Sequence, residues 1–140
     1  MSSNKKMSSG YDASLPLVVD SVDMFYVLNK TLKDNIKQNV KMLFLTSPGE
    51  RIMVPDYGVG LRGFLFERYP EIEQPIVQTI YAQVAAFLPE INIVQINVNE
   101  GDALTQRRTG QKKSLVVEFF YEISGTNIRD SVIFTDEMVE

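Results

Sequence analysis

Three residue types are missing from this chain, and their absence removes several kinds of chemistry. The 140 residues contain no cysteine, no histidine and no tryptophan. Without cysteine the chain forms no disulfide and offers no thiolate to a metal, which is compatible with a reducing compartment. Without histidine it lacks the usual near-neutral general base and the usual zinc ligands. We therefore expect no cofactor and no metal centre, and any enzyme built on this chain would depend on carboxylates.

A concentrated positive charge and a long apolar run are also lacking. The formal net charge of −4 argues against nucleic acid as the main partner, because phosphate binding needs a positive surface. No apolar run approaches the roughly 20 residues of a membrane helix. The start, MSSNKKMSS, has no apolar signal core. We expect no nucleic acid and no membrane as partners, and a protein that is made in the cytoplasm and stays there or is assembled from there into a particle.

Length and composition predict one ordinary globular domain with a flexible start. With 44% hydrophobic and 23% charged residues, the chain is long enough to bury a core. Residues 1–10 are polar and without periodicity, which predicts a flexible tail. Residues 11–30 are apolar and β-prone, which predicts an extended arm that covers either the domain's own core or another subunit. Residues 31–140 form the domain.

Two stretches have the period of a helix. Thr31 and Asp34 have the spacing of a reciprocal N-terminal cap. The apolar residues that follow predict one helical face; they are Leu32, Ile36, Val40, Leu43 and Phe44. Residues 61–67 predict a short helix, and residues 72–87 predict the second main helix, with Pro75 in its first turn and Pro89 just after its end.

Beyond residue 90 the period changes from about four to two. Residues 91–99 alternate, and the neighbouring pair Ile93 and Val94 predicts a bulge. Residues 115–124 alternate cleanly, residues 125–127 predict a turn, and residues 128–134 return as a third strand. The sequence thus predicts an α+β fold in which two main helices pack on a small antiparallel three-stranded C-terminal sheet. A basic loop precedes the second strand and is either solvated or meets acid on a partner; its cations are Arg107, Arg108, Lys112 and Lys113.

A long irregular loop follows the first predicted helix, between Leu43 and Gly60, and this loop carries a recognisable motif. It reads LTSPGERIMVPDYGVG from Leu45 to Gly60 and continues with LRGFLFE. This combination resembles the baseplate wedge and sheath-initiator family of contractile phage tails, which includes the matching baseplate component of type VI secretion systems and proteins named as lysozyme-like. The resemblance covers roughly residues 28–135.

The resemblance implies roles for three sets of residues. The loop would be organised by Pro48, Gly49, Glu50, Arg51, Pro55, Asp56, Tyr57 and Gly58, and Glu50 and Arg51 would fix it through an ion pair. From the residues themselves, Glu50 is expected to pair with Arg51 or Arg62, and the short apolar segment at residues 52–54 is expected to be buried. Wedge subunits would dock at Leu88, Pro89 and Glu90, where family members carry Glu-Pro-Arg and only the proline matches. Sheath subunits would add strands at the C-terminal sheet, at Leu115, Val117, Phe119, Tyr121, Ile123, Ile128, Arg129, Asp130, Val132 and Phe134.

The implied function is a structural, non-enzymatic baseplate wedge component of a virion tail, which templates sheath polymerisation and links the sheath to the wedge. The partners would be tail sheath subunits, other wedge proteins and tail tube or hub proteins, with six copies per baseplate assembled in the host cytoplasm.

Two alternatives stay open from the residues themselves. One is a cell-wall glycoside hydrolase of lysozyme type, using a pair among Glu50, Asp56, Glu67, Glu71, Glu73 and Glu90. That reading lacks the tryptophan platforms common in sugar sites. The other is a freestanding adaptor that binds a peptide strand at the exposed edge of its sheet.

Overall fold

The computed structural model describes residues 10–19, 28–29, 31–64, 67, 71–100 and 115–135. The chain divides into two compact units, Met1–Asn39 and Val40–Glu140, and the boundary falls within the first helix. The division near residue 30 that the sequence suggests stays a prediction. Residues 1–9 of the predicted tail, which spans residues 1–10, lie outside the described residues, as do the cations of the basic loop.

Three helices are described. Helix α1 is Leu32–Leu45, α2 is Leu61–Phe64 and α3 is Glu73–Phe87. The predicted cap starts α1, because the Asp34 N–H donates to the Thr31 hydroxyl at 3.1 Å and that hydroxyl donates to the Asp34 carboxylate. Helix α3 includes Pro75 in its first turn, as predicted, and the Leu88 N–H closes its last turn on the Val84 carbonyl. Within the described residues, no helix is long and apolar enough to span a membrane.

The C-terminal part is a three-stranded antiparallel sheet in the order β1, β2, β3. Strand β1 is Ile91–Glu100, β2 is Leu115–Ile123 and β3 is Arg129–Phe134. The predicted bulge lies in β1, where the register with β2 shifts between Ile93 and Gln95. The register between β2 and β3 is regular over all six residue pairs, from Val117 with Phe134 to Glu122 with Arg129.

The core of the second unit is aromatic and lies where the end of α1 meets the sheet. Phe44 is fully buried, and its ring centroid lies 4.9 Å from that of Phe119 and 4.7 Å from that of Phe134. Helix α3 contributes Ile76, Ile80 and Val84, all buried, and contacts β1. This arrangement confirms the predicted α+β class.

One residue departs from the predicted face of α1. Ile36, Val40, Leu43 and Phe44 are buried, but Leu32 is 37% exposed. It lies in the first turn of the helix.

In the first unit, two described segments pair with each other. The Tyr11 N–H donates to the Asn29 carbonyl at 2.9 Å, and the Asn29 N–H donates to the Asp12 carbonyl at 2.7 Å. The Gln38 side chain holds this pair, since its amide oxygen accepts the Leu15 N–H at 2.9 Å and the Asn29 side-chain N–H at 3.0 Å. What the predicted arm covers stays a prediction.

Candidate docking surfaces

The loop between α1 and α2 is closed by its own backbone. The Gly60 N–H donates to the Thr46 carbonyl at 3.0 Å and the Val59 N–H donates to the Leu43 carbonyl at 2.9 Å, so the returning chain lies on the end of α1. Further out, the Gly49 N–H donates to the Pro55 carbonyl at 2.7 Å. The residues between Gly49 and Pro55 therefore form the end of the loop, and this hydrogen bond joins the two backbone segments that lead into it.

A side chain of α3 clamps the second half of this loop. The amide of Gln83 accepts the Gly58 N–H at 2.9 Å and donates to the Asp56 carbonyl at 2.9 Å. Gly58 is required here, because its φ is +120° and a Cβ would lie 2.2 Å from the Thr46 carbonyl oxygen. Sequence reasoning missed Gln83, since a contact across 25 residues leaves no local signal.

The two charged residues of the motif do not pair with each other as expected. The Glu50 carboxylate accepts the Ser47 N–H at 2.9 Å, while the Arg51 guanidinium lies 3.9 Å from the centroid of the Tyr57 ring. That ring makes an edge contact with Phe87, at 5.0 Å between centroids. Burial raises the pKa of Tyr57, and the Arg51 charge opposes the rise. The expected ion pair is wrong, because each charge has a better-placed partner within the loop.

The apolar step at residues 52–54 is not buried, which corrects the sequence-based expectation. Ile52 is 94% exposed, Met53 is 91% exposed and Val54 is 39% exposed. A run of three apolar residues has no period, so the sequence does not reveal which side faces the solvent. The loop thus exposes the side chains of Ile52 and Met53 to solvent.

The predicted wedge-docking residues follow the last turn of α3. Leu88 is buried in the core, while Pro89 and Glu90 are exposed. The Glu90 carbonyl accepts the Ser124 N–H at 2.8 Å, which ties this corner to the end of β2. Phe87, two residues before Pro89, contacts Tyr57 of the loop. The wedge contact itself stays a prediction.

Most of the side chains predicted to bind sheath lie in the core. Those with at most 8% exposure are Leu115, Val117, Phe119, Tyr121, Ile123, Val132 and Phe134. Strand β2 is also central, so its backbone is paired on both sides over residues 117–122. The buried side chains can stabilise the sheet to which a strand is added. The backbone of residues 117–122 is already paired on both sides, so it has no N–H or C=O group available to an added strand.

The remaining predicted residues lie at the ends of the hairpin between β2 and β3. Ile128 is 40% exposed in the turn, and Arg129 is 3.4 Å from the Glu122 carboxylate. Asp130 lies opposite Tyr121, and burial together with this carboxylate raises the pKa of the Tyr121 hydroxyl. The charged groups of Arg129 and Asp130 thus lie beside β2.

The outer edge of β3 is free within the described residues. The Ile123 N–H donates to the Ile128 carbonyl at 3.0 Å, which makes these two a hydrogen-bonded pair. Such pairs alternate along an antiparallel ladder, so the backbone groups of Arg129, Ser131 and Ile133 point away from β2. Sequence reasoning did not single out Ser131 and Ile133, because the outward direction of their backbone groups depends on the register with β2.

Strand β1 forms the other edge of the sheet, and its bulge makes it a poorer template. The register shift beside Val94 interrupts the regular ladder of β1 with β2. A bulge twists an edge strand and hinders further pairing. The regular edge is therefore β3, where Ile133 is also 50% exposed.

The carboxylates considered for hydrolysis lie at the surface of the described part. Glu50, Asp56, Glu67, Glu71 and Glu90 are exposed and Glu73 is half-buried. A general acid usually needs an apolar pocket that raises its pKa. The six carboxylates lie at the surface and not in an apolar pocket of this kind.

Comparisons with known proteins agree with this geometry. No curated protein sequence matches the chain significantly. A crystal structure of a Geobacter sulfurreducens protein, provisionally named a tail lysozyme, superposes with a TM-score of 0.62 at 18% identity, covering 78% of this chain and 93% of that one. A chain of the anti-feeding prophage baseplate, from a six-fold symmetrised cryo-EM structure, superposes with a TM-score of 0.59 at 21% identity, covering 88% of this chain and 81% of that one.

These two likenesses show the fold, and a family model shows the relationship. The model described as baseplate wedge protein gp25 matches residues 30–127, which includes the loop, α3, β1 and β2. The chain therefore belongs to the baseplate wedge protein gp25 family, whose members are structural components of phage-like tail baseplates.

Proposed function

We propose that this chain starts the tail sheath by offering the outer edge of β3 to a strand of the first sheath subunit, while the corner at Leu88, Pro89 and Glu90 joins the wedge. The observation that carries the proposal is the free edge itself. Arg129, Ser131 and Ile133 each direct one N–H and one C=O outward, which gives six backbone groups in a row that have no partner among the described residues. Backbone groups at such an edge supply affinity to an added strand.

The support beneath the edge makes it a fixed template. Val132 and Phe134 are buried, and Phe134 stacks on Phe44 at 4.7 Å. A strand that is already ordered loses little conformational entropy when another strand pairs with it. This proposal also includes the sheath as partner, its arrangement around six copies of this chain, contact with tube or hub proteins, and assembly in the host cytoplasm.

The proposed role is structural and needs no catalytic group. The family is one of baseplate components, and the carboxylates at the surface lack the apolar pocket of a general acid. The freestanding adaptor would use the same β3 edge, but the family relationship favours a partner within the baseplate.

A proline in the edge tests the proposal. In Ser131→Pro the lost N–H is one that points outward, so the ladder with β2 keeps its bonds while the ring obstructs an incoming strand. Ser131→Ala keeps the N–H and is the matched control. Baseplates carrying Ser131→Pro should assemble and fail to grow sheath, whereas Ser131→Ala should support normal growth in electron micrographs. Normal sheath growth from the proline variant, with its circular dichroism unchanged, would refute strand addition at this edge.

A further inference from the structure

We propose that the loop tip, defined as Arg51, Ile52 and Met53, inserts into an apolar cleft with a carboxylate at its rim on a neighbouring baseplate protein. This inference rests on the proposed baseplate role and adds a contact that lies outside β3. The tip would extend the predicted wedge-docking corner at Pro89 and Glu90.

The exposure of the tip is the first observation. Ile52 and Met53 are 94% and 91% exposed, more than any other large apolar side chain in the described part of the chain. Single exposed apolar side chains are ordinary on protein surfaces. Here two residues that follow one another in the sequence are both almost fully exposed, so a pocket that covers both would remove two large apolar side chains from water.

The second observation is that the loop is built to keep the tip outward. Its base is closed by the bond from the Gly49 N–H to the Pro55 carbonyl at 2.7 Å, and Gln83 fixes the backbone at Asp56 and Gly58. A loose loop with these side chains would be free to collapse on its own surface. A fixed one presents them at a low entropic cost of binding, which is typical of an interface anchor.

The charge beside the tip indicates the chemistry of the partner. The Arg51 guanidinium lies on the Tyr57 ring, 3.9 Å from its centroid, and that ring is fixed in turn by Phe87. Stacking uses the face of the guanidinium, while its N–H donors lie around the edge and suit a carboxylate. Glu50 is turned back to the Ser47 N–H. The positive charge at the tip therefore belongs to Arg51, which favours an acidic rim.

The experiment measures binding of the full chain to the purified wedge subunits of its own particle by isothermal titration calorimetry. Ile52→Asp combined with Met53→Asp should fold as the wild type, because both side chains are in water. It should bind the wedge subunits at least about 100-fold more weakly. Arg51→Glu should weaken binding about tenfold or more, through repulsion from the rim. Tyr81→Asp, at a residue of α3 that is 51% exposed, is the matched control and should bind normally.

Two variants separate this inference from the proposed function. Ser131→Pro should keep wedge binding and lose sheath growth, whereas the double tip variant should lose wedge binding. Wedge binding by the tip variant within threefold of the wild type would overturn the inference, as would a wild type that does not bind wedge subunits at all. A change in the oligomeric state of the isolated tip variant in sedimentation would assign the tip to a second copy of this chain and overturn the assigned partner.

Met53 provides a direct readout in the assembled particle. Its thioether is exposed, so hydroxyl radicals should oxidise it readily in the free chain. In assembled baseplates the rate at Met53 should fall at least about tenfold. Met42, which is half-buried in α1, serves as the internal reference. An unchanged rate at Met53 would show that the tip stays in water and would contradict the insertion.

Discussion

Replacing Gly58 by alanine tests how tightly the loop is held. Gly58 has a φ of +120°, where a residue with a Cβ costs about 1–3 kcal/mol. The added Cβ would also lie 2.2 Å from the Thr46 carbonyl oxygen, so the backbone segments at Gly58 and Thr46 must move apart. Separation weakens the bond from the Gly60 N–H to Thr46 and the one from the Gly58 N–H to Gln83, each worth about 1 kcal/mol.

These contributions add to a loss of about 4 kcal/mol in the free energy of unfolding. For a chain of this length that loss should lower the melting temperature by about 12 °C. Two other glycines serve as controls. Gly49→Ala has a φ of +90° but nothing within 4 Å of the added Cβ, so it should lose only about 1–2 kcal/mol. Gly63→Ala has neither a positive φ nor a neighbour, and should be neutral or stabilising by up to about 1 kcal/mol.

The assay is urea unfolding followed by circular dichroism, with all three variants measured in one buffer. The expected order of stability is Gly63→Ala, then Gly49→Ala, then Gly58→Ala. A Gly58 variant as stable as the Gly49 variant would show that the close approach to Thr46 does not hold the loop, and the fixed tip would lose its physical basis.

Two further predictions concern the core. Phe44→Ala should cost about 3–5 kcal/mol in urea unfolding, because it removes a fully buried ring that stacks on Phe134 and makes a tilted contact with Phe119. A loss below about 1 kcal/mol would contradict the aromatic core. Burial and the Asp130 carboxylate raise the pKa of Tyr121, so the folded state keeps the phenol neutral while the unfolded state ionises near pH 10. The free energy of unfolding of the wild type should therefore fall as the pH rises above about 10. The free energy of unfolding of Tyr121→Phe should fall less between pH 8 and pH 11 in the same assay, and parallel pH curves for the two proteins would refute this.

The sequence predicts the elements well where one period dominates. The alternation of β2 and the adjacent apolar pair in β1 predict a regular strand and a bulge, and both are present. The spacing of Ile76, Ile80 and Val84 predicts the buried face of α3. In β2 and α3 the local pattern and the tertiary packing agree, because the apolar side chains of one face are buried along the element.

Prediction fails where the structure depends on contacts distant in sequence. The Gln83 clamp joins α3 to the loop across 25 residues, and no local feature of the helix indicates it. Arg51 stacks on Tyr57 six positions later, so the adjacent Glu50 was the wrong partner. Likewise, the outward groups of β3 follow from the register with β2, which a sequence does not state.

The most direct test of the central proposal is a cryo-EM map of the assembled baseplate with its first sheath ring. The account predicts a strand from a sheath subunit beside β3, with main-chain hydrogen bonds to Arg129, Ser131 and Ile133. A map in which these backbone groups face solvent, or are covered by this chain's own residues, would contradict it.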